Sequence, residues 1–338
     1  MKVIDVADAV GTVLCHDITQ IIPGQYKGAK FKKGHIIKEE DIPILLSMGK
    51  KHLYVYETGE NMLHENEAAL CLRDMCISDY MTESEIREGK IELMSTIRGF
   101  LKVDRDRLMK INSQDELMIA TLKDGDVDEG KKIAGMRVIP LVIEKEKLEN
   151  AKKLIGDEPL LKIYPYKIKN FGMVVTGSEV YNKIIDDKFS PVVENKLLKY
   201  GVSLVEKIYC DDDKKMIVDA INKLRDKNVD MIICTGGMSV DPDDMTPGSI
   251  IESGAHVVSY GSPILPGAMM LIGYFDNDVP IMGLPGCAMY AAATAFDVML
   301  PKVLAKIKWT KGEIAELGYG GLCQNCKVCH FPNCNFGN

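Results

Sequence analysis

The amino-acid sequence predicts an α/β protein, with an open, mostly parallel sheet carrying helices on both faces in its second half and smaller α+β regions before it. Three observations predict this. From Tyr166 onward, strand-like and helix-like patterns alternate with turn residues between them, the pattern of a parallel sheet covered by helices. The run MIICTGG (231–237) is short and apolar up to its glycines, as suits a central strand buried on both faces. Glycine-bearing loops follow the apolar runs, where an α/β sheet places its ligands.

The chain has 338 residues, which at roughly 150 residues per domain predicts more than one domain. The patterning divides it into a small strand and helix unit (1–75), a small α+β region and connection (76–160), the α/β domain (161–312) and a cysteine-rich tail (313–338). Hydrophobic residues at 46% and charged residues at 27% place it among globular proteins. No apolar run approaches the roughly eighteen residues that a membrane span requires, and Asp5 and Asp8 break any signal-peptide layout, so a cytoplasmic location without membrane attachment is expected. The formal charge of -7 argues against nucleic acid as a partner and requires any polyanionic ligand to be captured locally. Of the ten cysteines, Cys15, Cys71, Cys76, Cys210, Cys234 and Cys287 sit in apolar or strand-like surroundings and read as buried reduced thiols.

The first sixty residues read as short strands and turns leading to one helix. Ile42, Leu45 and Leu46 mark its inner face, and Gly49 ends it before the strand of Leu53 and Val55. Short strands and a helix over 105–111 follow, then the apolar run MRVIPLVI, with the charged EKEKLENAKK expected to connect to the next domain. KNFGMVVTG is a strand ending in glycine. Ser190 and Pro191 read as N-cap and first-turn proline, Val193, Leu197 and Leu198 as a buried stripe, and Gly201 as the stop. VSLVEKIY is a second strand; after Asp211, Asp212 and Asp213 the spacing of Met216, Ile217, Ala220, Ile221 and Leu224 predicts a helix. Beyond MIICTGG, strands are expected around 256–260 and 279–282, then a long helix over 288–307 kinked at Pro301.

Three loops should share the carboxyl edge of this sheet: TGSE (176–179), TGGMSVDPDD (235–244) and GLPGC (283–287). A Gly-Gly pair directly after a buried strand lets the backbone turn sharply and aim amides at an oxyanion. Taken singly, a glycine after a strand is structural more often than not. The second loop is more specific, because it continues into Asp241, Asp243 and Asp244. Carboxylates beside an anion-binding turn repel phosphate unless a cation lies between them, and Mg²⁺ resolves that conflict. The plainer alternative is that Asp243 or Asp244 caps a helix starting near Pro247.

TGGMSVDPDDMTP resembles the signature loop of the molybdopterin-binding domain of molybdenum-cofactor biosynthesis proteins: Thr-Gly-Gly, a variable stretch, then Asp-x-Thr, here Asp244 and Thr246. TGSEV resembles that family's opening motif and GLPG its closing loop, in the family's order. The segment from Phe31 to Val55 resembles a segment that precedes this domain in molybdopterin molybdenumtransferases, although here a long stretch intervenes. Three positions depart from the pattern: Ser262 stands where a lysine is usual, and Cys287 and Ala288 replace an Asn-Pro. Loss of that lysine removes a point charge that could hold an anion.

The resemblance implies that the chain binds a phosphorylated pterin, either molybdopterin or adenylylated molybdopterin, with molybdate and ATP or AMP as further small-molecule partners. The implied reaction is Mg²⁺-dependent molybdenum insertion into the adenylylated pterin, or the adenylylation itself. It assigns Asp244 to Mg²⁺ with Asp243 assisting, Gly236 and Gly237 as amide donors, and Ser239 as a hydroxyl donor. Thr176, Gly177, Glu179, Thr235, Thr246, Pro285 and Gly286 complete the ligand site, with Glu179 and Asp211, Asp212 and Asp213 placed to hold pterin or a second cation. Homo-oligomers are the family's habit. Two other functions fit the motifs: a carrier or sensor without turnover, and a nucleotide pyrophosphatase of the competence-damage type, whose domain usually lies at its N-terminus.

The tail GYGGLCQNCKVCHFPNCNFGN spaces Cys323, Cys326, Cys329 and Cys334 as C-x2-C-x2-C-x4-C, with His330 beside the third. Four thiolates so close in sequence can close around one Zn²⁺ ion or one iron-sulfur cluster. The spacing resembles the bacterial ferredoxin run, except that there the fourth cysteine serves another cluster. The competing reading is a disordered, redox-labile tail after Gly318, Gly320 and Gly321.

Overall fold

A computed structural model describes residues 2–22, 26–55, 61–239, 241 and 243–337. The chain divides into two units, Met1–Ile97 with Lys102–Leu122 and Val127–Ile163, and Arg98–Leu101 with Lys123–Asp126 and Tyr164–Asn338. No helix among the described residues is long and apolar enough to cross a membrane.

The first part of the chain runs β1 (Lys2–Asp5), β2 (Ile18–Ile22), β3 (Tyr26–Phe31), α1 (Asp41–Ser47) and β4 (His52–Val55), with β1 antiparallel to β4 and β2 antiparallel to β3. Val6, Leu14, Ile18, Phe31, Ile37, Leu45 and Leu53 form its core. Leu45 is fully buried but Leu46 is exposed, so the inner face of α1 is narrower than the sequence pattern suggested. One helical step of 100° carries Leu46 out of the interface.

There follow β5 (Met62–His64), α2 (Glu65–Cys76), β6 (Met81–Glu83), β7 (Ile91–Ser95), β8 (Gly99–Val103), α3 (Arg105–Asn112), β9 (Leu117–Thr121), β10 (Gly125–Val127), β11 (Lys132–Val138), β12 (Val142–Glu144), α4 (Lys145–Ile155) and β13 (Leu161–Pro165). Strands β6, β7, β11 and β9 make an antiparallel sheet in that order. The charged EKEKLENAKK is not a linker. It forms most of α4, which buries Leu148, Ala151 and Ile155. Their spacing of three and four residues puts them on one face.

The second unit holds β14 (Asn170–Thr176), α5 (Ser178–Tyr181), α6 (Ser190–Leu198), β15 (Ser203–Cys210), α7 (Lys214–Asp226), β16 (Ile232–Thr235), α8 (Thr246–Glu252), β17 (His256–Tyr260), β18 (Leu271–Tyr274), β19 (Pro280–Leu284), α9 (Ala295–Leu304) and α10 (Lys311–Glu316). Its six strands are ordered β15-β14-β16-β19-β18-β17. The first four are mutually parallel and β18 runs antiparallel to both of its neighbours, β19 and β17, so the sheet is mixed. Alternation along the strands sends side chains to two separate cores. Met173, Val175, Ile233, Ile272 and Met282 face Val193 and Leu197 of α6 and Phe296, Met299 and Leu300 of α9. Val174, Ile232, Cys234, Leu271 and Ile281 face Ile217, Ile221 and Leu224 of α7 and Ile250 of α8. Cys15, Cys76, Cys210 and Cys234 are buried, and Cys71 and Cys287 half-buried. Burial pushes the Cys210 thiol up to about 11, and that of Cys234 higher still.

Three local expectations need correction. Strand β18 has no counterpart in the sequence reading. The long helix starts at Ala295 rather than 288, because the chain after β19 makes a 3-10 turn over Gly286–Met289 and Thr294 then caps α9 by a capping box with Asp297. Ser190 is the first residue of α6 and not its cap. Asp187 organises that helix start, accepting the amides of Phe189 and Ser190 at 3.0 Å each and the Ser190 hydroxyl.

Candidate functional site

From β14 the chain goes to β15 on one side, then returns across β14 to β16 on the other. The connections after β14 and β16 therefore leave in opposite directions, opening the crevice where α/β sheets take ligands. Register fixes which residues reach it: Thr176 pairs with Cys210, Val175 with Thr235, and Thr235 with Leu284. All three glycine-bearing loops, and the acidic run after Cys210, thus leave the same end of the sheet.

Three buried threonines knit the first two loops together. The Thr176 hydroxyl donates to the carbonyl of Thr235 at 3.3 Å and lies 3.0 Å from the Thr246 hydroxyl, at the start of α8. Having one proton to give, Thr176 accepts from Thr246 when it bonds Thr235. Gly236 and Gly237 both have positive φ, +86° and +52°. A Cβ on Gly236 would lie 2.2 Å from the Thr176 carbonyl oxygen, so the turn rests directly on the end of β14. A Cβ on Gly237 would meet the Thr246 hydroxyl at 2.9 Å and Asp244 Oδ1 at 3.7 Å. Asp244 therefore folds back over the double-glycine turn.

Asp244 Oδ2 is buried and has no hydrogen-bond partner among the described residues; the Thr235 hydroxyl is in the same condition. An unsatisfied buried carboxylate oxygen is costly, on the order of 1–3 kcal/mol or more, unless something outside the chain satisfies it. Capping does not account for it, since Met245 is the N-cap of α8 and no side chain caps the helix. Tyr260 secures the same loop, its one hydroxyl proton shared between the carbonyls of Met238 (3.0 Å) and Ser239 (3.2 Å). Burial raises the Tyr260 pKa, and the Asp244 charge adds to the shift.

The acidic run has partners of its own. The Ser178 amide donates to Asp212 at 3.0 Å, its hydroxyl lies against Asp211 and Asp212, and Asp213 caps α7 through the Met216 amide at 2.7 Å. The Ser178 hydrogen bond, followed by the Asp212 amide, lowers the Asp211 pKa. These carboxylates fasten the first loop to α7.

A cleft of about 530 Å³ opens at the crevice. Thr176, Thr235 and Gly236 line it together with residues 183–189, Val180 and Met289, which follows the GLPGC loop. Gly237, Asp244 and Thr246 adjoin its double-glycine turn. Glu179, Ser239, Asp243 and Gly286 are exposed and Pro285 is buried, and none of them lines the cleft. Gly177 (φ +133°) precedes α5 and stands apart from it too. A larger hollow of about 700 Å³ on β9 and β11 of the first unit gathers none of the motif residues.

Sequence reasoning missed the segment 183–189, which brings Lys183 and Lys188 to the cleft. Neither lysine forms an ion pair among the described residues. Asp187 holds the segment in place and also accepts from the Tyr209 hydroxyl at 3.1 Å. Burial alone would raise its pKa, but the hydrogen bonds from Ser190, Tyr209 and Phe189 outweigh that and lower it. An Asp three residues ahead of Ser-Pro was the available signal. Ser262, where a lysine was expected, bonds within its own loop, to the carbonyls of Ala268 (2.8 Å) and Gly267 (3.3 Å).

In the tail, Cys323 and Cys334 are half-buried and Cys326 and Cys329 exposed. Among the described residues no three His, Cys, Asp or Glu side chains are gathered to hold a metal ion.

Residues 172–306 match the model of a family described as a probable molybdopterin binding domain, and residues 3–57 match a domain of unknown function. The CinA-like protein of Mycobacterium avium is 37% identical over 75 residues, 22% of this chain and 17% of that protein. The CinA-like protein of Mycolicibacterium gilvum is 39% identical over 75 residues, covering 22% and 18%. The chain thus matches less than a fifth of the length of these relatives. Among solved structures, the tungsten cofactor synthesizing protein MoaB from Pyrococcus furiosus is 20% identical, covering 40% of this chain and 93% of that one, with a TM-score of 0.35. The protein CinA from Thermoplasma acidophilum is 16% identical, covering 40% and 98%, also with a TM-score of 0.35.

Proposed function

Residues 172–306 form a domain of the molybdopterin-binding family, and from that premise we propose that the chain binds a phosphorylated pterin in the β14–β16 crevice and inserts molybdenum into its adenylylated form with release of AMP. The observation that carries this reading is the buried Oδ2 of Asp244, without a hydrogen-bond partner among the described residues, beside the Gly236–Gly237 turn. A half-buried amide turn suits phosphate, a carboxylate beside it does not, and a divalent cation between them satisfies both. The donor set fits Mg²⁺, which commonly takes one or two protein carboxylates and completes its octahedron with substrate phosphate oxygens and water.

When bound, the ion would neutralise charge on the phosphate as AMP departs. The chain's own residues do the positioning. The amides of Gly236 and Gly237 would donate to phosphate oxygens, as would the hydroxyl of Thr235, which has no partner among the described residues. Lys183 and Lys188 supply positive charge in place of the lysine missing at Ser262. Val180 and Met289 offer apolar surface to a flat ring.

The test is AMP release from adenylylated molybdopterin with Mg²⁺ and molybdate. Molybdate-dependent release is expected, reduced on the order of a hundredfold by Asp244→Asn. Lys183→Gln and Lys188→Gln should each raise KM about tenfold with kcat little changed. Tight Mg²⁺-dependent binding without release would make the protein a carrier or sensor and would sink the transferase reading. A second reading, pyrophosphatase activity, draws support from the CinA-like matches, and hydrolysis of ADP-ribose without molybdate-dependent AMP release would establish it instead.

A further inference from the structure

We propose that the C-terminal loop is a thiolate metal site, separate from the pterin crevice and built from Cys323, Cys326, Cys329 and Cys334. Its base is closed by the Gly337 amide, which donates to the Gly320 carbonyl at 3.0 Å. Two more bonds dock the loop's first limb: Leu265 N–H to Gly321 O and Cys323 N–H to Leu265 O, both 2.8 Å. Phe336 is buried in the core that contains α9, and Cys323, Phe331 and Cys334 pack against the same core. Two cysteines thus stand at the base of a closed loop, and the other two, Cys326 and Cys329, lie in its exposed turn.

The turn has little else to hold it. No backbone–backbone hydrogen bond among the described residues ties residues 324–329 to the rest, and Val328 is 67% exposed. A loop with joined ends has already lost most of its closure entropy, so gathering its interior ligands costs less than from an open tail. The four sulfurs are not gathered in this structure, and the proposal requires the turn over 324–329 to fold back onto Cys323 and Cys334. Each cysteine loses its thiol proton to solvent as its sulfur bonds the metal, so four protons leave when the site fills. Soft thiolates select Zn²⁺ or an iron-sulfur cluster over Mg²⁺. The metal would supply the ordering that the turn's sparse contacts do not.

The experiment uses the full chain, purified anaerobically without chelator. It compares native protein with C326S/C329S for zinc, iron, acid-labile sulfide and visible absorbance, before and after reconstitution with Zn²⁺ or with iron and sulfide. About one centre per native chain is expected, colourless if zinc and brown with matching sulfide if iron-sulfur, and absent from the double variant. Amides of 324–330 should exchange slowly in the loaded protein and quickly after chelation, while Trp309 fluorescence stays constant. Native protein below about a tenth of a centre per chain after reconstitution, or equal metal in the variant, would overturn the proposal.

Discussion

Gly236→Ala separates the two costs a glycine can hide. Left-handed backbone costs an alanine about 1–2 kcal/mol. Gly254 has the same conformation, φ +87° against +86°, but a Cβ there meets nothing within 4 Å. Gly254→Ala should therefore cost about 1 kcal/mol, after the gain from a less flexible unfolded chain. At Gly236 the added Cβ falls 2.2 Å from the Thr176 carbonyl oxygen and 2.7 Å from its hydroxyl, where ordinary contact begins at 3.4 Å. The turn must retreat by about 1 Å, a displacement that breaks well-made hydrogen bonds. It puts at risk the 3.3 Å bond from Thr176 to Thr235 and the 3.0 Å bond between Thr176 and Thr246. At about 1 kcal/mol each, the total rises to roughly 3–4 kcal/mol. Trp309 is the chain's single tryptophan and lies buried in the core beside α9, so denaturant titration followed by its fluorescence reports this unit. Equal losses in the two variants, within about 0.5 kcal/mol, would refute the close approach of the turn to β14.

Two further predictions concern charged anchors. Asp187→Ala should lower stability by about 2 kcal/mol at neutral pH and weaken ligand binding at the cleft, because four donors lose one carboxylate. Its folded pKa is depressed, so that stability is present above the usual aspartate value of 3.8 and is lost as pH falls through the folded value; the gap between native and variant should close in acid. Glu313 pairs with Lys302, whose side chain is 3% exposed and stacks on Trp309 at 4.4 Å. Burial would raise the Glu313 pKa, but the bonds from Lys302 and Thr310 lower it, so its contribution holds above about pH 4.5 and fades below. Glu313→Gln should cost about 3 kcal/mol at pH 7 and flatten stability between pH 5 and 3, read by acid titration of Trp309 fluorescence.

The sheet edge was legible because apolar runs end at glycines there, and both signals are local. Strand β18 was not, since MMLIGYF does not alternate and Gly273 interrupts it, although Pro266-Gly267 and Asp276-Asn277-Asp278 bound it; antiparallel pairing with β17 and β19 makes it a strand. The start of α9 was legible in principle, in Thr294 and Asp297 at capping-box spacing, but the apolar residues before it imitate a helix. Leu148, Ala151 and Ile155 likewise carried helical spacing beneath a charged surface. The second wall of the cleft was harder to read: residues 183–189 have no periodicity, and Asp187 ahead of Ser190-Pro191 is the one local sign of the loop that brings Lys183 and Lys188 there. Among the motif residues, Thr176, Thr235 and Gly236 reached the cleft, whereas Glu179, Ser239 and Asp243 share the motifs without lining it.

The distribution of sulfur through the chain has a practical side. Cys326 and Cys329 are open to reagents, while Cys76, Cys210 and Cys234 are sealed within helix and sheet and their thiols are held in the protonated form. An alkylating probe therefore meets the exposed thiols first, the half-buried Cys71, Cys287, Cys323 and Cys334 more slowly and the buried ones last. The exposed thiols mark the surface, and the buried ones keep time for the opening of each unit, Cys76 for the first and Cys234 for the second. A chain with one indole and thiols of graded exposure carries its own instruments for watching each unit open.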